Sequence, residues 1–107
     1  MEAEYQVDEQ FLFIYIPQEV DHHVADKIRR ETDVLLSERS IRKIVFDFHD
    51  TRFMDSSGIG MILGRVKKMR KCGGSVEAVG VSNQVARIFD MAGLPSVMTM
   101  RQKEECV

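Results

Sequence analysis

Four consecutive residues, Asp55, Ser56, Ser57 and Gly58, are the part of the sequence best suited to chemistry. They follow a short apolar run rich in β-branched and aromatic residues and precede an apolar pattern with helical spacing, which places them where a strand gives way to a helix. The free amides and positive dipole end of such a helix favour an anion, including a phosphate carried by serine. The two hydroxyls are therefore candidate phosphate acceptors, although on this tetrapeptide alone a plain N-cap role for Ser56 is the simpler interpretation.

A serine hydrolase is an alternative use of the same hydroxyls. His22, His23 and His49 could supply a base, as nucleophilic catalysis by serine requires. The nucleophile-elbow pattern Gly-x-Ser-x-Gly is nevertheless absent, because Met54 stands where its first glycine would be. We therefore expect a protein without catalysis of its own.

Phosphate loops and metal sites are also disfavoured. Gly58, Gly60 and Gly64 lack the Gly-Lys-Ser/Thr ending that grips nucleotide phosphates and Mg²⁺, so they are expected to let a helix pack closely on a sheet. Asp47 is expected within a strand and Asp50 in a turn, an arrangement that makes no convincing metal site. The sequence predicts no cofactor and no metal.

Length and composition indicate an ordinary globular protein. The 107 residues, 44% hydrophobic and 30% charged, predict one domain spanning residues 1–107. The net charge is −2 and no long basic run exists, so nucleic-acid binding is not expected. The cations between Arg65 and Lys71 fall in the last turns of a predicted helix, where a solvated end opposing the dipole is the expected role.

The expected location is the cytoplasm. Cys72 and Cys106 are too few and too far apart for a disulfide framework or a zinc site. No apolar run approaches the roughly 20 residues that span a bilayer. The first five residues resemble neither the basic start nor the apolar centre of a signal peptide.

Changes in periodicity predict an α/β fold with the order ββαβαβαβ: a hairpin, followed by right-handed crossovers in a mostly parallel sheet. The predicted strands are 4–7, 11–16, 41–48, 75–81 and 97–100. The predicted helices are one from an Asp21 cap to about Arg39, one over 57–72 ended by Gly73-Gly74, and one capped by Ser82 or Asn83 and ended by Gly93 and Pro95. The tail 101–107 is predicted to add a turn of helix.

The sequence resembles the STAS-domain anti-sigma factor antagonists of bacteria, most of all those of the forespore sporulation sigma factor. The resemblance covers about residues 5–100, and the block from Phe53 to Gly60 is its most specific part. The other matching segments are Asp21-His22-His23, Ile41–Val45, Ile62–Arg65 and Phe89–Leu94. It implies a STAS fold, with a mixed sheet of about five strands packed by three to four helices.

The resemblance also implies a partner switch. The unphosphorylated antagonist would bind an anti-sigma factor that is also a serine kinase, and would thereby release the sigma factor. The kinase would phosphorylate the serine after the aspartate, which is Ser56 (with Ser57 as the second choice), and a metal-dependent PP2C-type serine phosphatase would restore it. Asp21, Asp55 and Gly58 would join both serines in the partner-binding surface. The free protein would be a monomer.

Two departures from the family pattern concern the fold rather than the switch. Pro17-Gln18 replaces a frequent Thr-Gly, and the short C-terminus puts the family's last helix in doubt. A scaffold subunit of a larger stress-signalling assembly is the alternative function that the same resemblance implies.

Overall fold

The structure is a computed structural model that describes residues 2–103. Its three α-helices are α1 (His22–Glu38), α2 (Ser56–Lys71) and α3 (Asn83–Met91), and a 3-10 turn spans Leu94–Ser96. Its strands are β1 (Glu4–Asp8), β2 (Phe11–Tyr15), β3 (Glu19–Val20), β4 (Lys43–Asp47), β5 (Phe53–Met54), β6 (Ser75–Val81) and β7 (Thr99–Gln102). Within the described range, none of the helices is apolar over a length that could cross a membrane.

Five strands form the main sheet in the order β1-β2-β4-β6-β7. The hairpin pair β1 and β2 is antiparallel, and the remaining neighbours are parallel. Parallel neighbours need crossover connections, and α1, α2 and α3 lie in those connections. The predicted α/β fold, with a mixed, mostly parallel five-stranded sheet and three helices, is confirmed.

The register of the sheet decides which side chains enter the core. Leu12, Ile44 and Val76 lie side by side across β2, β4 and β6, and all three are buried. They belong to one core cluster with Ile62 of α2 and Phe89 of α3, so the helices cover this face of the sheet. The opposite face carries partly exposed aromatic side chains such as Phe11 and Phe13.

A second sheet of two strands, β3 and β5, was not predicted. Glu19 pairs with Phe53 and Val20 with Met54, in parallel. Strands of two residues carry no readable periodicity, because alternation needs about four residues or more. Their pairing depends on the approach of two segments that are distant along the chain, and it sets the geometry of the site described below.

Several predicted boundaries are wrong. The 41–48 strand is shorter, at Lys43–Asp47, and the 97–100 strand is displaced to Thr99–Gln102 because a 3-10 turn comes first. The helical turn predicted over 101–107 is wrong for residues 101 and 102, which extend β7 along β6; residues 104–107 of that prediction lie outside the described range. Gly73, with a φ of 74°, ends α2 as predicted, and its amide donates to the Arg70 carbonyl.

Candidate functional site

Asp55 is the N-cap of α2. Its backbone is extended and its Oδ1 accepts hydrogen bonds from the amides of Ser57 (2.9 Å) and Gly58 (3.3 Å). A carboxylate in this position satisfies amides that the helix itself leaves free. Ser56 is therefore the first residue of the helix, and the simpler interpretation of Ser56 as the cap is wrong.

The two candidate hydroxyls differ in exposure. Ser56 is exposed, whereas Ser57 is partly buried and lines a groove between α1 and α2. Successive helical residues point about 100° apart, because a turn holds about 3.6 residues. Access for a second protein is thus better at Ser56 than at Ser57.

Asp21 caps α1 in the same manner. Its Oδ1 accepts from the Val24 amide at 2.9 Å, and this hydrogen bond holds the pKa of the Asp21 carboxyl below its usual value. The residue is exposed, and so are His22 and His23, whose ring centroids lie 4.0 Å apart. The predicted cap is confirmed, and the carboxylate keeps its charge on the surface.

The small β3–β5 sheet brings the two caps together. Asp21 follows Val20 and Asp55 follows Met54, and Val20 and Met54 are register partners. The Asp55 amide also donates to the Val20 carbonyl at 3.0 Å. Because paired strands lie about 4.8 Å apart, α1 and α2 begin side by side. Of the predicted partner-binding residues, Asp21 and Ser56 are therefore exposed at neighbouring helix starts, with Asp55 and Ser57 partly buried beside them.

Gly58 is buried where the start of α2 meets this sheet. A Cβ at this position would collide with Met54 Cγ and lie 3.1 Å from Val20 Cγ1. The prediction that the α2 glycines serve close packing is therefore correct for Gly58. It is wrong for Gly60 and Gly64, because a Cβ at either would meet nothing within 4 Å.

A groove of about 410 Å³ runs between α1 and α2 beside the serines. Its charged side chains are Asp26 and Arg29, which form an ion pair at 2.6 Å. This groove was not predicted from the sequence. Its lining has helical spacing on each helix, and the residues are His22, Ala25, Asp26 and Arg29 on α1 and Ser57, Gly60 and Met61 on α2. The helical spacing can be recognised in the sequence, but the sequence does not show that these faces of α1 and α2 lie opposite each other.

The described residues contain no cluster of three or more histidine, cysteine or acidic side chains that could hold a metal. What the site offers chemically is an exposed hydroxyl at the positive end of a helix. A phosphate on Ser56 would be favoured by the positive dipole ends of two adjacent helices, and disfavoured by Asp55 and Asp21. The exposed Ser56 hydroxyl and the exposed Asp21 carboxylate are the polar groups that this site offers to a second protein.

The fold and this site define a STAS domain. A model of the STAS domain family matches residues 2–106, and the chain belongs to that family. Its relatives include the anti-sigma F factor antagonist of Paenibacillus polymyxa, which is 37% identical over 87% of this chain and 80% of the relative. Within the family, the sequence therefore groups with the anti-sigma factor antagonists.

Solved structures agree. The unphosphorylated form of the anti-sigma factor antagonist SpoIIAA superposes with a TM-score of 0.84, at 27% identity, over 92% of this chain and 86% of that one. The phosphorylated form of SpoIIAA, a cell fate determinant of Bacillus, gives a TM-score of 0.76 at 26% identity over 92% of this chain and 89% of that one. This protein thus shares its fold with an antagonist known in both states.

Proposed function

We propose that this protein is an anti-sigma factor antagonist controlled by phosphorylation of Ser56. The observation that carries the proposal is the exposed Ser56 hydroxyl at the first position of α2, beside the exposed Asp21 cap of α1. The 37% identical relative named as an anti-sigma F factor antagonist supports the same assignment. The unphosphorylated patch binds an anti-sigma factor that is also a serine kinase, and this binding releases the sigma factor.

Phosphorylation acts on the partner rather than on the fold. A phosphoserine brings about −1.5 to −2 charges at neutral pH. Within this chain the two helix ends attract that charge while Asp55 and Asp21 repel it, so the opposing effects leave the fold intact. A partner surface shaped for a neutral hydroxyl must instead accommodate a bulky dianion. A hundredfold loss of affinity needs only about 2.7 kcal/mol, a reasonable cost for like-charge contact and desolvation.

The phosphorylation cycle involves this protein, the anti-sigma kinase and a phosphatase, and this protein catalyses neither step. The kinase adds the phosphate, and a PP2C-type serine phosphatase removes it and restores binding. The free protein is a monomer and acts in the cytoplasm, in control of a sporulation sigma factor. Asp21, Asp55 and Ser57 contribute to the contact surface around Ser56, and the buried Gly58 supports that surface by letting α2 begin close to the β3–β5 sheet.

The test is incubation with the cognate anti-sigma kinase and ATP, followed by phosphopeptide mass spectrometry. We expect one phosphate on wild type and on Ser57→Ala, and none on Ser56→Ala. The neighbouring serine is the matched control, because it shares the sequence context but is partly buried. Ser56→Asp should lose most of its affinity for the kinase in a calorimetric titration. Phosphate on another residue, or unchanged binding by Ser56→Asp, would contradict the proposal.

A further inference from the structure

Arg65 is a buried cation that the switch described above does not use. Its side chain is 4% exposed, although sequence analysis placed it among the solvated cations at the end of α2. Its Nη1 donates to Thr32 Oγ1 at 2.7 Å and to the Arg29 carbonyl at 3.2 Å. The same nitrogen donates to Asp33 Oδ1 at 2.5 Å. Arg65 therefore reaches from α2 to α1, where the two hydrogens of Nη1 are shared among three acceptors within about one helical turn.

Burial of the Arg65 guanidinium carries a desolvation cost, so its contacts with α1 are an inefficient way to stabilise the fold. The Nε of Arg65 is buried without a hydrogen-bond partner among residues 2–103. Replacing a buried ion pair by apolar side chains of similar volume is often neutral or stabilising, so stability alone does not require Arg65. Apolar contacts, however, are non-directional and do not select one orientation of the two helices. A guanidinium that must reach three fixed acceptors does have a direction. Such a contact is sensitive both to rotation of α1 about its axis and to displacement of α1 along α2.

Asp33 completes the contact from the α1 side. Partial burial by itself would raise the pKa of Asp33, but hydrogen bonds from Lys68 and Arg65 hold it below its usual value. Asp33 thus stays charged at neutral pH and keeps both cations in place. Lys68 reaches the same carboxylate at 2.6 Å but is half exposed, so it adds charge without being enclosed between the helices.

Arg65 lies far enough along α2 for a small change in helix angle to displace the helix starts that carry Asp21 and Ser56. It lies 10 residues beyond the Asp55 cap (65 − 55), and Thr32 lies 11 beyond the Asp21 cap (32 − 21), so the helices run side by side in one direction. Ten helical residues span about 15 Å. Near the caps, the β3–β5 pairing, the hydrogen bond from the Asp55 amide to the Val20 carbonyl, and apolar packing join the two segments, so Arg65 is a second, polar contact farther along the helices. A tilt of about 4° over that length displaces one end by about 1 Å relative to the other.

We propose that Arg65 is a positioning residue that sets α1 against α2 so that Asp21 and Ser56 face the anti-sigma partner together. This inference rests on the proposed function. It assigns to Arg65 no contact with the partner. Its effect on binding passes through Thr32, Asp33 and the groove wall at Arg29.

The binding test compares Arg65→Met with Lys68→Met, which removes the other cation on the same carboxylate. Affinity for the anti-sigma factor is measured by calorimetry at a temperature where circular dichroism shows each variant fully folded. We expect Arg65→Met to bind about tenfold more weakly and Lys68→Met to bind like wild type, a size reached by remote positions that alter geometry. Combining Arg65→Met with Asp21→Asn should give less than the sum of the two losses, because a misplaced Asp21 has less to lose.

A purely structural role gives a different result. In that case Arg65→Met lowers the free energy of unfolding, but the folded variant binds the anti-sigma factor with wild-type affinity. The effects of Arg65→Met and Asp21→Asn on affinity are then additive. This outcome overturns the proposal. Should Arg65→Met not fold, Arg65→Lys and Thr32→Val replace it. Lysine keeps the charge but lacks the planar guanidinium that places Nη1 against the three acceptors, and valine removes the Thr32 Oγ1 acceptor at nearly equal volume. Wild-type affinity in both variants equally refutes a positioning role.

A measurement without the partner separates this proposal from the proposed function. Residual dipolar couplings of the backbone amides report the angle between α1 and α2 in the free protein. We expect this angle to change in Arg65→Lys and to stay fixed in Lys68→Met. An unchanged angle overturns the positioning role even if the switch is real. If instead wild type fails to bind any anti-sigma kinase while the angle changes as expected, the proposed function fails and the structural coupling stands.

Discussion

Replacing Gly58 and Gly60 separately by alanine should change stability in opposite directions. Both residues lie in the first turns of α2, two positions apart, and neither has a positive φ. Either substitution removes the conformational cost of a helical glycine, a gain of about 1 kcal/mol. At Gly60 nothing opposes that gain, because the new Cβ meets no atom within 4 Å. We expect Gly60→Ala to raise the free energy of unfolding by about 1 kcal/mol and the melting temperature by about 5 °C.

At Gly58 the added methyl has no room. It collides with Met54 Cγ and crowds Val20 Cγ1, both on the small sheet that joins the helix starts. Overpacking of this kind costs about 1–3 kcal/mol. After the helical gain, Gly58→Ala should be less stable than wild type by about 1 kcal/mol, and less stable than Gly60→Ala by about 2 kcal/mol.

Urea unfolding followed by circular dichroism measures both variants against wild type, with equal m-values confirming that the same surface is exposed on unfolding. Gly64→Ala is the control, because a Cβ there also meets nothing within 4 Å, and it should match Gly60→Ala. Equal stability of the Gly58 and Gly60 variants would refute the reasoning. It would mean that Met54 moves aside freely and that close packing does not hold the start of α2 in place.

Three further predictions concern the caps, acid stability and assembly. Asp21→Asn should keep the stability of wild type, since asparagine caps about as well as aspartate, whereas Asp21→Ala should lose about 1 kcal/mol in urea unfolding. If the carboxylate docks the partner, Asp21→Asn also binds more weakly, and wild-type affinity of this variant would leave Asp21 only its capping role. A hydrogen bond from Lys43, with a second cation at Arg101, holds the pKa of Glu77 below its usual value of 4.5. The charged Glu77 therefore stabilises the folded state above about pH 4.5, and this contribution is lost as the pH falls through the lower pKa of the folded state. Glu77→Gln should therefore flatten the decline of urea stability with acid, and an unchanged pH profile would show that the ion cluster contributes nothing. Light scattering on a sizing column should give a monomer, and a large self-assembly would favour the scaffold alternative over the switch.

The sequence determined the local features of the site. A run of apolar and aromatic residues, a capping aspartate and a helical apolar pattern are read within about 20 neighbouring positions. They placed the serines at a helix start without any knowledge of the fold. The capping role of Asp21 and the stop at Gly73 were readable for the same reason, because caps and left-handed turns depend on near neighbours.

Only the tertiary structure decided which distant residues meet. The β3–β5 pairing puts Asp21 beside Asp55, and two-residue strands leave no pattern in the chain. The same limit explains the wrong predictions for Arg65 and Gly60. Arg65 carries the same charge as its solvated neighbours, and its burial follows from the α1 side chains that face it. Whether a glycine or a cation is enclosed depends on the surface opposite it, and that surface belongs to another part of the chain.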